Sequence, residues 1–282
     1  MQKIVCRQVN QADITAVTSL LIRSFPECSQ QFWLTLFAEL TRRAPPAGLP
    51  QYGYLLADGD LIVGALLLIC TAMRRAEPVR CNLSSWCIAP GFAPYAALLV
   101  SQALRHRGVT YVNISPAPHT RAIIEIQGFS PYSGGVFVAM PALNRPTKNR
   151  SKILPARQVP IGLFDATDNR ILQEHTAFGC MSFCCLSSGS AYPFVFRFRS
   201  VRGVPCAQLI YCRDVGDFVH FAGPIGRYLA RHGRLFVLVD ANGPITGLTG
   251  RFYKGAMPKY FKGVDPPRLG DLAYTETALF GI

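Results

Sequence analysis

The chain has 282 residues, of which 50% are hydrophobic and 16% are charged, a composition that excludes an intrinsically disordered protein. This length is natural for two domains of about 140 residues each. The formal net charge is +13 without any long run of like charges. The sequence therefore indicates a general preference for anions and disfavours a dedicated nucleic-acid-binding protein.

The ten cysteines include no C-x-x-C pair and do not indicate a metal site. The N-terminal residues lack the apolar core of a signal peptide, so we expect a cytoplasmic protein whose cysteines are mostly reduced core residues. The longest apolar run, residues 61–73, is too short to span a bilayer, and no membrane span is predicted.

Strand-like and helix-like patterns alternate through the first half of the chain. Asn10 and Asp13 are suited to cap a helix, because their side chains accept hydrogen bonds from unpaired amide groups of a first turn. Asp58-Gly59-Asp60 has the composition of a hairpin turn. In chain order, the predicted elements are a strand at 3–8, helices at 14–21 and 30–43, a hairpin at 52–70, a strand at 80–90, a helix at 96–108, a strand at 109–115, a helix at 120–127 and a strand at 134–140.

Residues 141–160 combine prolines and basic residues with little apolar periodicity, which is typical of a linker. We predict a first domain at 1–143, a linker at 144–160 and a second domain at 161–282. In the second domain we predict a helix at 169–179, strands at 181–187, 192–199 and 205–214, a helix at 221–233, a strand at 234–243 and a basic loop at 250–276.

The two halves also show a weak internal repeat. Residues 81–113 align with 206–238 without a gap, at a constant offset of 125. The alignment pairs Cys81 with Cys206 and Trp86 with Tyr211, and both copies have the order strand, turn, helix, glycine, strand. This common order indicates a duplication, although the few identities also allow coincidence.

The element order of residues 1–140 resembles the GNAT acyltransferase superfamily. Four stretches carry the resemblance: an opening strand and helix with Asp13, a hairpin with Gly64 after its turn, LSSWCIAP, and NISPAPHTRAIIEIQGF. The resemblance implies an α/β fold with a mixed sheet, the acyl-CoA N-acyltransferase-like fold, here as two tandem units.

The resemblance also implies a cofactor site. Family members bind the pantetheine arm of acyl-CoA along a splayed strand and the pyrophosphate at the following helix N-terminus, where amide groups and the helix dipole favour an anion. An acyl group then passes directly to an amine or hydroxyl of a small-molecule acceptor. The implied cofactor residues are Trp86, Cys87, Ile88, Phe92, Ala93, Pro94, Tyr95, Ala96, Ala97 and Asn113.

The sequence departs from the family at two positions of functional importance. The phosphate-binding loop of the family reads R/Q-x-x-G-x-G/A, whereas residues 93–98 read APYAAL. Ile124 stands where many relatives have a tyrosine that protonates the departing thiolate. A catalytically degenerate protein of the same fold, acting in ligand sensing or partner binding, is therefore an alternative.

No residue has a sequence context that marks it as the catalytic acid or base. The weak candidates are Ser84 and Ser85 on the cofactor strand, His119 before a helix, and Glu125 beside Ile124. Each also has a structural interpretation, as a strand serine, an exposed loop histidine or a surface carboxylate. Cys87 has no histidine nearby in sequence and is better explained as a core thiol.

Basic and aromatic residues are interleaved near the C-terminus. Arg251, Lys254, Lys259 and Lys262 alternate with aromatic residues among glycines and prolines. We predict that these four residues bind the acceptor or another anion, and binding of a polyanion or nucleic acid through residues 251–262 is a second alternative. A solvated loop held to the core by its aromatic rings would have the same composition.

Overall fold

The computed structural model describes residues 4–72, 79–145, 151–160 and 162–281. The described residues form two compact units. Unit 1 contains the described residues up to Asn113 together with Lys262–Asp265, and unit 2 contains those of Ile114–Phe261 and those from Pro266 onward.

Unit 1 has the element order predicted from the sequence. Its sheet has the order β1-β2-β3-β4-β5, in which neighbouring strands are antiparallel except for the parallel pair β4–β5. The elements are β1 (Ile4–Gln8), α1 (Ile14–Ser24), α2 (Gln30–Arg42), β2 (Gly53–Asp58), β3 (Leu61–Thr71), β4 (Val79–Ile88), α3 (Ala96–Ala103) and β5 (Val109–Asn113).

The helices of unit 1 each bury one apolar face. In α1, Val17 and Leu21 are fully buried, and this helix packs on β3 and β4. In α2 the buried face contains Trp33 and Phe37, while the neighbouring Phe32 is only half-buried. Spacing at three and four residues places these side chains on one face, so their burial stabilises the packing of α1 on the sheet and of α2 against α1.

Unit 2 contains the remaining strands and helices. Its sheet has the order β12-β6-β11-β10-β9-β8-β7, with β10–β11 parallel and the other neighbours antiparallel. The elements are α4 (Arg121–Ile126), β6 (Ser130–Ala139), β7 (Lys152–Pro155), α5 (Ala166–Ala177), β8 (Met181–Ser187), β9 (Ser190–Val201), β10 (Val204–Cys212), α6 (Val215–His220), α7 (Ala222–Ala230), β11 (Phe236–Ala241), β12 (Gly250–Lys262) and α8 (Glu276–Phe280).

Aromatic side chains dominate the core of unit 2. Phe183 and Phe196 stack with ring centroids 5.6 Å apart, and Phe194 and Phe218 are fully buried in the same cluster. These residues come from β8, β9 and α6, so the cluster joins helices to the sheet. Aromatic rings of this size bury large apolar areas, which makes the cluster a main source of stability for unit 2.

The parallel strand pairs of the two units have the same register. Cys81 of β4 is opposite Tyr111 of β5, and Cys206 of β10 is opposite Phe236 of β11. Both pairs fit the offset of 125 residues found in the sequence. The irregularity of β4 at Ser85 also has a counterpart at that offset, since β10 shifts register between Leu209 and Tyr211. These coincidences support the predicted duplication, which remains a prediction.

Two segments have more regular structure than the sequence indicates. Within the predicted linker, residues 152–155 form β7 and pair with β8, while residues 146–150 lie outside the described residues. The predicted basic loop is wrong over residues 250–262, because they form β12 and pair with β6. Prolines interrupt the alternating pattern in the linker, and glycines and a proline interrupt it in β12. Partner strands elsewhere in the chain supply the hydrogen bonds.

The compact units divide the chain at a different place from the predicted domains. Unit 2 begins at Ile114, and β6, assigned by sequence to the first domain, pairs with β11 and β12. The predicted helix at 221–233 corresponds to α7, and the sequence did not predict the short helix α6 that precedes it and ends at His220.

Two of the ten cysteines are not reduced. Cys70 of β3 and Cys81 of β4 form a disulfide between directly paired strand positions, and the other eight are free. We expected mostly reduced thiols and did not predict this bond, because the two cysteines become neighbours only when β3 and β4 pair. Among the described residues, no helix is long and apolar enough to cross a membrane.

Candidate active site

The predicted cofactor strand, β4, separates from its parallel neighbour before it ends. The last paired positions are Asn82 of β4 and Val112 of β5, while β4 continues to Ile88. Ser85 has a φ of 54° and lies where the register with β3 shifts, so β4 bends at this residue. Beyond the bend, the edge of β4 that faced β5 has no paired strand within the described part of unit 1.

The side chains beyond the bend differ in burial. Cys87 is buried, and burial raises the pKa of its thiol, which does not suit a nucleophile. Trp86 and Ile88 are half-buried. The indole Nε1 of Trp86 is buried without a hydrogen-bond partner among the described residues. This part of β4 therefore offers backbone groups and one buried indole donor to a ligand.

The turn between β4 and α3 uses many of its own amide groups. The amides of Phe92 and Tyr95 donate to the carbonyls of Ala89 and Phe92. The Ala96 amide donates to the carbonyl of Ala93, and Pro94 has no N–H to donate. An anion at this helix N-terminus would therefore meet fewer available donors than in a glycine-rich loop.

The other predicted site residues differ in burial and in their hydrogen-bond partners. Ser84 and Ser85 contact each other through their hydroxyl groups at 3.2 Å. His119 is exposed, and Glu125 is exposed but accepts a hydrogen bond of 2.9 Å from the Tyr260 hydroxyl. Asn113 is buried at the end of β5, and Ala97 is exposed in the first turn of α3. Ile124 is fully buried and therefore acts as a core residue.

The equivalent strand in unit 2, β10, is covered by the C-terminal segment of the chain. The Leu272 amide donates to the Ile210 carbonyl at 2.7 Å, and the Cys212 amide donates to the Gly270 carbonyl at 3.0 Å. Tyr211 and Asp271 form the antiparallel bridge between these two bonds. The segment therefore occupies the strand edge that corresponds to the open edge of β4.

Charged side chains hold the end of β10 in place. Asp168 is 2% exposed and accepts hydrogen bonds from the Tyr211 hydroxyl at 2.6 Å and from Arg213 Nε at 2.7 Å. The Arg268 guanidinium donates to the carbonyls of Cys212 and Arg213. Burial and the neighbouring Asp168 carboxylate raise the pKa of Tyr211, which keeps its hydroxyl protonated as a donor. The backbone groups at this strand end are thus occupied by the protein itself.

The four predicted anion-binding residues lie on β12 and do not share one exposed surface. Arg251 and Lys254 are exposed, and the Arg251 guanidinium lies 5.6 Å from the centroid of the Tyr253 ring. Lys262 is half-buried. Lys259 is 2% exposed and forms an ion pair of 2.6 Å with Asp240, which is buried in β11. A continuous basic and aromatic surface is therefore not formed, although each residue's role in binding stays a prediction.

No protein-family model matches the chain, and no curated protein matches it. Solved structures do match. A GCN5-related N-acetyltransferase from Kribbella flavida is 14% identical with a TM-score of 0.57, over 92% of this chain and 71% of that one. One from Anabaena variabilis is 12% identical with a TM-score of 0.56, over 92% and 72%. A GCN5-related glucosamine N-acetyltransferase region of a fungal β-N-acetylglucosaminidase is 11% identical with a TM-score of 0.58, over 92% of this chain and 38% of that one.

These likenesses establish the fold. The chain has the mixed α/β fold of the GCN5-related N-acetyltransferases, as the resemblance in the sequence predicted, and the matches extend over both units. At such low identity the shared fold does not carry the activity with it.

Sequence reasoning missed the features that distinguish the two units. The C-terminal segment at Gly270–Leu272 gave no signal of strand pairing, because its residues are too few to show a period. The Asp168–Arg213 ion pair and the Lys259–Asp240 ion pair join residues that are far apart in sequence. Among the described residues, no cluster of histidine, cysteine and carboxylate side chains is suited to a metal ion.

Proposed function

We propose that the protein is an acyltransferase that binds acyl-CoA along β4 of unit 1 and transfers the acyl group to an amine or hydroxyl of a small-molecule acceptor. The observation that carries the proposal is the bend at Ser85, beyond which one edge of β4 is unpaired. An unpaired strand edge presents amide and carbonyl groups that can bond to the two amide groups of a pantetheine arm. The fold shared with N-acetyltransferases supports the same assignment.

The proposed chemistry is direct attack of the acceptor on the thioester, without a covalent enzyme intermediate. Backbone amides near Cys87 and Ile88 would polarise the thioester carbonyl and stabilise the oxyanion that develops on it. Cys87 would not act as the nucleophile, since burial raises the pKa of its thiol. With Ile124 in the core, the departing thiolate would take its proton from the acceptor or from solvent.

The second candidate is a protein of the same fold that binds a ligand without catalysis. The internal hydrogen bonds of Phe92, Tyr95 and Ala96 favour it, because they reduce the donors available for a pyrophosphate. The two candidates differ in a measurable way. A catalyst releases CoA thiol in the presence of an acceptor, whereas a sensor binds without turnover.

Calorimetric titration with acetyl-CoA and longer acyl-CoAs tests binding, and thiol release with a panel of amines and amino sugars tests turnover. We expect a dissociation constant in the micromolar range. Trp86→Ala should weaken binding about tenfold, because it removes the indole that lines the proposed groove. A loss of about 1.4 kcal/mol of binding free energy corresponds to that factor.

The matched control is Tyr253→Ala, which removes an exposed aromatic residue of β12. It should bind acyl-CoA as the wild type does. The absence of binding to any thioester at millimolar concentration would overturn the proposal. Binding without thiol release for any acceptor would favour the non-catalytic candidate.

A further inference from the structure

Unit 2 contains a cavity of about 290 Å³ beside an irregular part of β12. β12 leaves its regular register with β6 between Lys254 and Lys259. Met257, with a φ of 51°, and Pro258 form part of the cavity wall at this bulge. The volume is close to the lower end of small-molecule sites, roughly 300 Å³. We call this feature the β12 cavity.

The charged residues that line the β12 cavity are all basic. They are Arg121 at the start of α4, Arg199 on β9 and Lys259 on β12. The Nε atoms of both arginines are buried and have no hydrogen-bond partner among the described residues. A half-buried guanidinium with an unused Nε donor is suited to an oxyanion, with which it forms charge-assisted hydrogen bonds.

A buried amide also lines the cavity. Gln208 of β10 is 1% exposed. It lies near the Asp240 carboxyl, whose pKa is raised by burial, yet neither of its amide atoms completes a hydrogen bond of normal geometry with a described residue. An unused buried amide costs free energy unless a ligand or water satisfies it. The unsatisfied Gln208 amide is therefore a second indication, separate from the two arginines, that a ligand or water occupies the cavity.

Two carboxylates lie next to the cavity without lining it. Asp240 forms the ion pair of 2.6 Å with Lys259, and it acts on Arg199 at longer range. Glu276 accepts a hydrogen bond from the lining residue Ser115. Asp240 therefore offsets the charge of Lys259, and the buried Glu276 offsets part of the charge of the two guanidinium groups, so the cavity keeps a smaller excess of positive charge.

We propose that the β12 cavity binds a small molecule through a carboxylate or phosphate group held between Arg121 and Arg199, with Gln208 donating a further hydrogen bond. Met257 and Pro258 would contact the apolar part of the molecule. The Lys259–Asp240 pair fixes the bulge, because Lys259 Nζ also donates to the Met257 carbonyl at 3.3 Å. The site includes Lys259, one of the four residues predicted to bind the acceptor or another anion, but anion binding here does not require acyl transfer and would occur in a non-catalytic protein as well.

Calorimetric titration and thermal unfolding with inorganic phosphate and, separately, with malonate test the site. We expect one anion to bind saturably at one site per chain and to raise the unfolding temperature. A response to phosphate alone identifies a phosphate group, and a response to malonate alone identifies a carboxylate. Arg199→Gln and Arg121→Gln should each weaken the binding about tenfold or more.

The matched control is Arg231→Gln, which removes an exposed arginine at the end of α7 and should leave anion binding unchanged. Circular dichroism checks the fold of each variant, and Arg121→Gln keeps the test decisive if Arg199→Gln does not fold. The proposal is wrong if neither anion binds the wild type at millimolar concentration. It is also wrong if both cavity variants bind as tightly as the wild type and the control.

Discussion

At the scale of single residues, the junction of β1 and α1 is held by an ion pair that also forms a helix cap. Both terminal nitrogens of Arg7 donate to the Asp13 carboxylate, at 2.6 and 2.7 Å. The Asp13 carboxylate also accepts from the Asn10 amide at 2.9 Å. The Asn10 side chain caps the same turn through the Ala12 amide. The sequence predicted the capping residues, but the part played by Arg7 follows only from the turn of the chain between them.

We predict that Asp13→Ala lowers the free energy of unfolding by about 1–2 kcal/mol at neutral pH, because it removes both the cap and a partly exposed ion pair. Asp13→Asn should cost less, since the amide oxygen still accepts from Asn10. Urea unfolding of the variants measures both effects. Equal losses for the two substitutions would contradict a capping role for this side chain.

The same residue predicts a dependence on pH. The Arg7 guanidinium lowers the pKa of Asp13 below its usual value of about 3.9. A carboxyl with a lowered pKa in the folded state stabilises the protein above that usual value and loses its contribution as the pH falls through the folded pKa. The difference in stability between wild type and Asp13→Asn should therefore shrink below about pH 4. A difference that stays constant down to pH 2 would show that the ion pair does not contribute.

At the scale of elements, α7 depends on a glycine that lets it approach the backbone of another segment. A Cβ built at Gly226 would lie 2.1 Å from the amide nitrogen of Ala142 and 2.3 Å from the carbonyl carbon of Pro141. Helix propensity alone would favour alanine over glycine by about 1 kcal/mol. The close approach of the two backbones therefore requires glycine at this position, although the helix propensity alone would favour alanine.

We predict that Gly226→Ala destabilises the protein by about 1–3 kcal/mol, since backbone atoms must shift to admit the methyl group. Thermal unfolding measures the loss. The control is Gly243→Ala, where an added Cβ meets nothing within 4 Å and the change should stay within about 0.5 kcal/mol. An unchanged or raised unfolding temperature for Gly226→Ala would mean that α7 is not packed as described.

Local patterns predicted most elements of both units but missed those whose stability comes from distant partners. The helix at Gln30–Arg42 and the hairpin at 53–71 follow directly from apolar spacing and a turn signal. The sequence did not predict β12 as a strand, because Gly255 and Pro258 interrupt its alternation of apolar and polar residues. Its hydrogen bonds are made to β6, which lies more than a hundred residues earlier. Such pairing depends on tertiary structure rather than on local propensity.

At the scale of the whole molecule, the two units share the register of a parallel strand pair. They differ in whether the strand edge beyond the paired positions is open or covered. β4 bends at Ser85 and ends with an unpaired edge, whereas β10 is covered by residues 270–272 and by Arg268. Of these two corresponding strands in the described part of the chain, β4 offers an open edge for a pantetheine arm and β10 does not. The acyltransferase proposal therefore implies a single cofactor site in each chain.

We predict that acyl-CoA protects the amides of residues 84–88 from hydrogen exchange and leaves those of residues 209–212 unchanged. The amides of β10 are already bonded within the protein, as at Cys212, so a ligand has little to add there. Hydrogen exchange followed by mass spectrometry, together with the stoichiometry from calorimetry, measures this difference. Protection of both strands, or two sites per chain, would contradict the prediction.

The family resemblance in the sequence predicted the mixed α/β fold and the positions of the candidate cofactor strand and turn. Local patterns by themselves determined the order of elements in unit 1 and the capping at Asn10. These features follow from apolar periodicity, turn residues and caps, which act between residues that are near in sequence. The catalytic acid or base stays unassigned, because Ile124, at the position of the family's tyrosine, is buried in the core.

Only the tertiary structure decided that the C-terminal segment covers β10, that Cys70 bonds to Cys81, and that Lys259 is buried against Asp240. It also brought Arg121, Arg199 and Gln208 to one cavity. The physical reason is the same in each case. These contacts depend on strand pairing and burial between segments whose separation in sequence leaves no periodic signal, and their energy is available only once the surrounding core has formed.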